Sequence, residues 1–258
     1  MLWVSPKRVA QILGGTITIL SLAGLGTQLI RYTFGHDYQF GLNWLFDLNM
    51  EGNLPAWYAS TALASAATLL GLIGAHKRDQ GAIHANHWLA LSIIFFYLSL
   101  DEAISIHEAA GRILAPLQLT GVFHYNWVVL GIGFVCIVGG SYLRFLKALP
   151  PTHRWRFVVA GLTYVTGALG IEMIESRWAF LFHGPGNLTY AMLVWIEETL
   201  EMIGVAVFIY ALWAYIEEEI SRMTLSVPPS LPRGRTFTRT PGRIHSVGDQ
   251  YRSTGTDN

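Results

Sequence analysis

The chain has 258 residues, of which 52% are hydrophobic and 13% charged, with nine Trp and a mean hydropathy of +0.38. Charged residues make up about a quarter of an ordinary soluble domain, so the composition is that of a membrane protein. Lys plus Arg equals Asp plus Glu at 17 each, which argues against a polyanionic partner such as nucleic acid, and the single cysteine, Cys136, excludes an internal disulfide and a thiolate-rich metal or redox centre.

Crossing about 30 Å of hydrocarbon takes about 20 helical residues. Apolar runs of that length lie near 9–30, 57–75, 86–110, 127–147, 157–180 and 189–216. They predict an all-α integral membrane protein, a six-transmembrane-helix bundle over residues 1–223. The first run follows Lys7-Arg8 and has no convincing small-residue cleavage site before Arg31, which favours a retained span over a signal peptide. The next segment, 31–56, is a long aromatic loop whose Phe40 to Phe46 portion suits a short helix lying at the interface. Its end, Asp47 to Pro55, alternates acids and amides as a calcium loop does, but Tyr58 stands where a bidentate glutamate is needed. A Pro-terminated turn opening the second span is the plainer reading, and the same loop suits a cap over an acidic cavity. From about 224 the chain turns to Pro, Arg, Ser, Thr and Gly without apolar periodicity, which predicts a disordered C-terminal tail over 224–258. Arg233, Arg235, Arg239 and Arg243 in that tail suit contact with anionic membrane lipids.

Short loops rich in Lys and Arg stay on the cytoplasmic side. Lys7 and Arg8 precede the first span, Lys77 and Arg78 follow the second, and Arg144, Lys147, Arg154 and Arg156 lie between the fourth and fifth. The alternate loops carry one arginine each, Arg31, Arg112 and Arg177. The expected topology is therefore N-in/C-in.

Eight carboxylates interrupt these apolar runs. Asp101, Glu102 and Glu108 lie in the third, Glu172 and Glu175 in the fifth, and Glu197, Glu198 and Glu201 in the sixth. An ionised acid at the centre of a membrane helix costs roughly 2.5–3.5 kcal/mol on the lenient insertion scales, so eight of them mark a working site. In the expected topology all eight fall in the outer half of the membrane. At 100° per residue Asp101 and Glu108 share a face with Ser105 between them, while His107 points away toward a different neighbour. Glu172 and Glu175, and likewise Glu198 and Glu201, are one turn apart, with Glu197 beside Glu201.

Carboxylates with or without imidazole hold hard or borderline cations, and one-turn carboxylate pairs project inward in soluble di-metal bundles. The pattern predicts one or two divalent metal ions, iron, manganese or zinc, held by Asp101, Glu108, Glu172, Glu175, Glu198 and Glu201. Glu102, Glu197 and His107 would be further ligands or would orient the first. No Glu here has a His three residues on, and the His84/His87 pair sits at the other end of the third span. An open coordination position would activate water or dioxygen on a lipid-soluble small molecule, although the sequence does not decide whether the protein is an enzyme. A second reading makes the same acids the proton or cation sites of a coupled transporter, although six spans without inverted halves fit that poorly. A third makes the chain an accessory subunit without chemistry of its own. The plain structural alternatives are boundary ion pairs of Glu175 with Arg177 and Glu108 with Arg112, a packing role for His107, and interface anchoring by His124, Tyr125 and Trp127.

The stretch Leu100-Asp101-Glu102-Ala103-Ile104-Ser105-Ile106-His107-Glu108, with Gly170 to Met173 and Glu197 to Met202, resembles a family of bacterial polytopic membrane proteins that is mostly uncharacterised. Leu45-Phe46-Asp47 and Pro55-Ala56-Trp57 extend the likeness over most of residues 40–215. Some members of that family are labelled multidrug transporters. The resemblance implies that the acids recur as a pattern and supplies no activity.

Overall fold

A computed structural model describes residues 4–36, 39–184 and 186–226. Nearly all of the predicted tail, from 227 on, lies outside the described residues. Among them there is no strand, and six helices are long and apolar enough to cross a membrane. The first is α1 (Pro6–Phe34), started by Ser5, whose Oγ accepts from the Arg8 amide, with Pro6 in the first turn and Gly35 closing the end in the left-handed region. A 3-10 turn (Gln39–Gly41) and the short α2 (Leu42–Phe46) follow, where the loop helix is expected, with Phe40 94% exposed. The segment after α2 folds as a turn that opens the next helix. Asp47 accepts from the Asn49 amide, and Asn53 donates to the Asp47 carbonyl while capping the next helix at Ala56.

That helix is α3 (Leu54–Asp79), paired along its length with α4 (Ala85–Ile104). Small residues allow the pairing, as they do in many membrane helix contacts. The Ser60 and Ser99 hydroxyls each donate to the other's carbonyl at 2.8 Å, and the Ser92 hydroxyl donates to the Ala67 carbonyl at 2.7 Å. Interhelical hydrogen bonds in membranes average about 0.6 kcal/mol each. Ser99→Ala, which removes one of these and leaves Ser60 its own, is expected to lower stability by roughly that amount in a detergent unfolding titration. A loss of several kcal/mol would show that packing, not hydrogen bonding, holds the pair.

Beyond α4 come α5 (Ile106–Gly111), two 3-10 turns (Arg112–Leu117 and Gly121–Phe123) and α6 (Trp127–Ala148). The fifth span is one rod from Pro151 to Phe182 made of α7 (Pro151–Val165), a π-helical turn (Thr166–Ile171) and α8 (Glu172–Phe182). The sixth is the central α9 (Leu188–Ser226), which touches α1, α3, α7, α8 and the π turn.

The closed core occupies one half of the bundle. Ala66, Leu70, Ala211 and Leu212 are fully buried there, with Trp88, Phe145, Phe157 and Tyr215 packed around them. Lys77 meets Glu219 at 2.8 Å, His153 meets Glu218 at 2.6 Å, and the Trp213 indole donates to the Val4 carbonyl. The basic chain segments that the sequence assigns to one side are thus at one end of the bundle. Glu197 lies 21 residues before Glu218 on α9, or ~30 Å along a straight helix, so the acids belong to the opposite end.

Candidate functional site

At that opposite end the helices part around a cavity of about 1020 Å³, and all nine predicted site residues line it. Glu172, Glu175 and Glu197 come closest, each offering a carboxylate oxygen within 4.8 Å of the other two. Glu175 is 2% exposed and Glu197 7%, and Glu175 Oε1 has no hydrogen-bond partner. Arg177 is exposed on the far side of its helix. Among the described residues no lysine or arginine forms an ion pair with any of the eight acids. Boundary pairing of Glu175 with Arg177 or of Glu108 with Arg112 therefore does not account for them. Carboxylates this close and this dry need a cation or a proton between them.

Two local features set up the geometry. Gly167 in the π turn lies against α9, where a Cβ would come 2.8 Å from the Glu197 carbonyl and 3.0 Å from Glu201 Cγ. Gly204 on α9 lies against α7 in the same way, a Cβ there coming 2.7 Å from the Tyr164 amide nitrogen. The two glycines let the fifth and sixth spans approach at backbone distance, so that Glu172 and Glu175 meet Glu197. A π turn directly before Glu172 changes the helical register by a fraction of a turn and commonly marks a functional position.

The third span departs from the sequence expectation. It is not helical through residue 110 but breaks at Ser105, whose φ of 48° and ψ of 53° are left-handed. The single-helix azimuth that put Asp101 and Glu108 on one face and turned His107 away does not survive this break. Asp101 accepts instead from the His107 amide at 2.6 Å and pairs with His107 Nδ1 at 3.0 Å. The carboxylate thereby satisfies an orphan amide at the start of α5. Asp101 and His107 form a positioning pair, and Glu108 is exposed at the mouth.

Around the three closest acids, Glu102, Glu198 and Glu201 lie within electrostatic reach of one another and of Glu172 or Asp101, with the Tyr164 phenol against Glu201. The Trp127 indole donates to Glu172 Oε1 at 2.9 Å and its ring tilts against His107 at 4.6 Å between centroids. Tyr190 reaches Glu175 and shares a hydroxyl contact of 2.9 Å with Tyr125, whose amide is held by Ser176 Oγ. Trp127 and Tyr125 are thus parts of the site rather than interface anchors alone. Tyr190 shares a helix face with Glu197 seven residues on, a spacing visible in the sequence, whereas nothing in the sequence signals Tyr164.

Residues 48–51 roof the cavity. Partial burial, together with the acids Glu108 and Asp101, raises the Glu51 carboxyl above its ordinary value, with His107 opposing. An outer hydrogen-bond partner of a metal ligand is typically worth 10–100-fold in affinity. If Glu172 ligates a divalent ion, Trp127→Phe, which keeps the ring and removes the donor, weakens binding of that ion by about that factor in a calorimetric titration. Unchanged binding would mean that Glu172 is not held by Trp127 for that purpose.

Residues 12–215 match the family model described as "Domain of unknown function (DUF8692)". The chain belongs to that family. Nothing among curated proteins or solved structures matches it.

Proposed function

We propose that the protein sits in a bacterial cytoplasmic membrane with both termini inside, and that its acid cluster binds one or two divalent metal ions toward the outer face. The observation that carries this reading is the gathering of Glu172, Glu175 and Glu197, a carboxylate oxygen of each within 4.8 Å of the others, with Glu175 buried and its Oε1 without a hydrogen-bond partner. Oxygen-only ligands suit hard cations, manganese first among iron, manganese and zinc. Glu198, Glu201 and Glu102, within electrostatic reach of one another, would hold a second ion, while Asp101 and His107 hold the end of the third span in place. Glu197 belongs with the primary ligands, since it is one of the three closest acids.

Electron paramagnetic resonance of Mn(II) titrated into the detergent-solubilised protein tests this. The free six-line signal should fall as ion is taken up and should persist when Glu175 and Glu197 are both replaced by glutamine. A proton shared between the same carboxylates satisfies the contact equally well. Folded protein that leaves the Mn(II) signal unchanged but conducts protons in vesicles would therefore move the reading to a proton- or cation-coupled transporter.

A further inference from the structure

Below the carboxylates the cavity continues into an apolar limb. Leu91 and Phe95 of α4, Phe134 and Val138 of α6, Phe157 of α7 and Phe208 of α9 line it. Phe208 lies eleven residues beyond Glu197 on α9, which places it ~16 Å deeper. That is about half of a ~30 Å hydrocarbon core, the depth reached by the chain of one lipid leaflet.

The wall between α4 and α6 is incomplete. These helices meet near the basic end through Trp88 on Phe145 at 5.0 Å and the Tyr142 hydroxyl on the His87 carbonyl. Near the acid end the chain closes again through His107 on Trp127 at 4.6 Å. Between those points the two helices scarcely touch, and α6 has only Val128 and Phe145 fully buried. An apolar gap in that position faces lipid chains, so a ligand from the membrane reaches the limb sideways.

We propose that the cavity takes a single-chain amphiphile, its hydrocarbon chain in the apolar limb and its hydroxyl or amine head against the carboxylates, entering between α4 and α6. The head-group class follows from charge. The eight acids and Glu51 outnumber the one arginine of the lining, Arg112, and exceed the charge of one or two divalent ions, so the site disfavours a carboxylate or phosphate head and accepts hydrogen bonds from a hydroxyl or ammonium. The head-group end rests on the reading of the acids as a working site, whereas the chain-binding limb stands on its own apolar lining.

Two lining glycines allow a direct test. Gly139 and Gly161 line the cavity, and a Cβ at either meets nothing within 4 Å, so Gly139→Phe and Gly161→Phe each add a ring to the lining from a position with open space. Protein in nanodiscs is irradiated with palmityl alcohol carrying a mid-chain diazirine, and labelled peptides are mapped, with bound metal measured on the same samples by elemental mass spectrometry. The expected result is labelling on α4, α6 and α7 that palmitylamine competes away, palmitate does not, and either filling variant loses while keeping its melting temperature and its metal content. Labelling that the filling variants leave unchanged, or that is confined to α1, would overturn the chain site. Equal competition by palmitate would overturn the head-group assignment. Protein without metal that still labels as expected would remove the metal reading and leave the amphiphile site standing.

Discussion

A Glu175→Gln, Glu197→Gln double variant is expected to fold, to melt above chelated wild-type protein, and to gain nothing from added divalent metal. Both residues are buried, and their carboxylates lie with Glu172 in the closest contact of the site. Without a cation, that contact is either repulsion between charges or a forced protonation, and both cost folding free energy. Glutamine keeps the volume and removes the charge, so the metal-free protein gains. Wild-type protein should gain instead from metal, by about 2.7 kcal/mol when the free ion is a hundred times its dissociation constant, and chelation should reverse the gain. Scanning fluorimetry with and without chelator reads both effects. A double variant that melts below chelated wild type, or that keeps the metal response, would contradict the assignment of these two glutamates.

The second large effect is steric. Gly204→Val is expected to destabilise by about 1–3 kcal/mol or more, the usual range for overpacking a tight contact. The added Cβ would come 2.7 Å from the Tyr164 amide nitrogen and 2.9 Å from its Cα, and backbone in a helix cannot step aside as a side-chain tip can. The fifth and sixth spans would part, and Glu172 and Glu175 would leave Glu197, so metal response and melting temperature should fall together. Gly133→Ala is the control. Nothing lies within 4 Å of its Cβ position, so it should be neutral, or gain up to about 1 kcal/mol from helix propensity. Equal melting temperatures for Gly204→Val and wild type would show that the spans are not in backbone contact there.

The six spans were legible because hydropathy and length act along the chain and need no knowledge of neighbours. The gathering of the acids was legible for a related reason: three helices, each with acids toward the same end, have little choice but to bring them together. What was not legible depends on a single backbone angle or on a contact between distant helices. The sequence around Ser105 contains neither Gly nor Pro, so nothing announces the left-handed residue that ends α4, and an azimuth carried across it places His107 on the wrong side. The π turn shifts the register ahead of Glu172, and only the pair Gly167 and Gly170 hints that the helix there is unusual. Trp127 and Tyr125 sit where interface aromatics belong, and their sequence neighbours do not distinguish a ring facing headgroups from one donating to Glu172. The π turn and the close approach at Gly167 and Gly204 also explain why Glu197 belongs with Glu172 and Glu175, although sequence spacing sets Glu198 beside Glu201.

The central claim, that the buried carboxylates hold divalent metal, is tested most directly by elemental mass spectrometry of protein purified in mild detergent without chelator or a metal-affinity tag. About one or two equivalents of manganese, iron or zinc per chain, absent from the Glu175→Gln, Glu197→Gln variant, is the predicted result. Folded wild-type protein that carries no divalent ion, and takes none up when it is supplied, would contradict it.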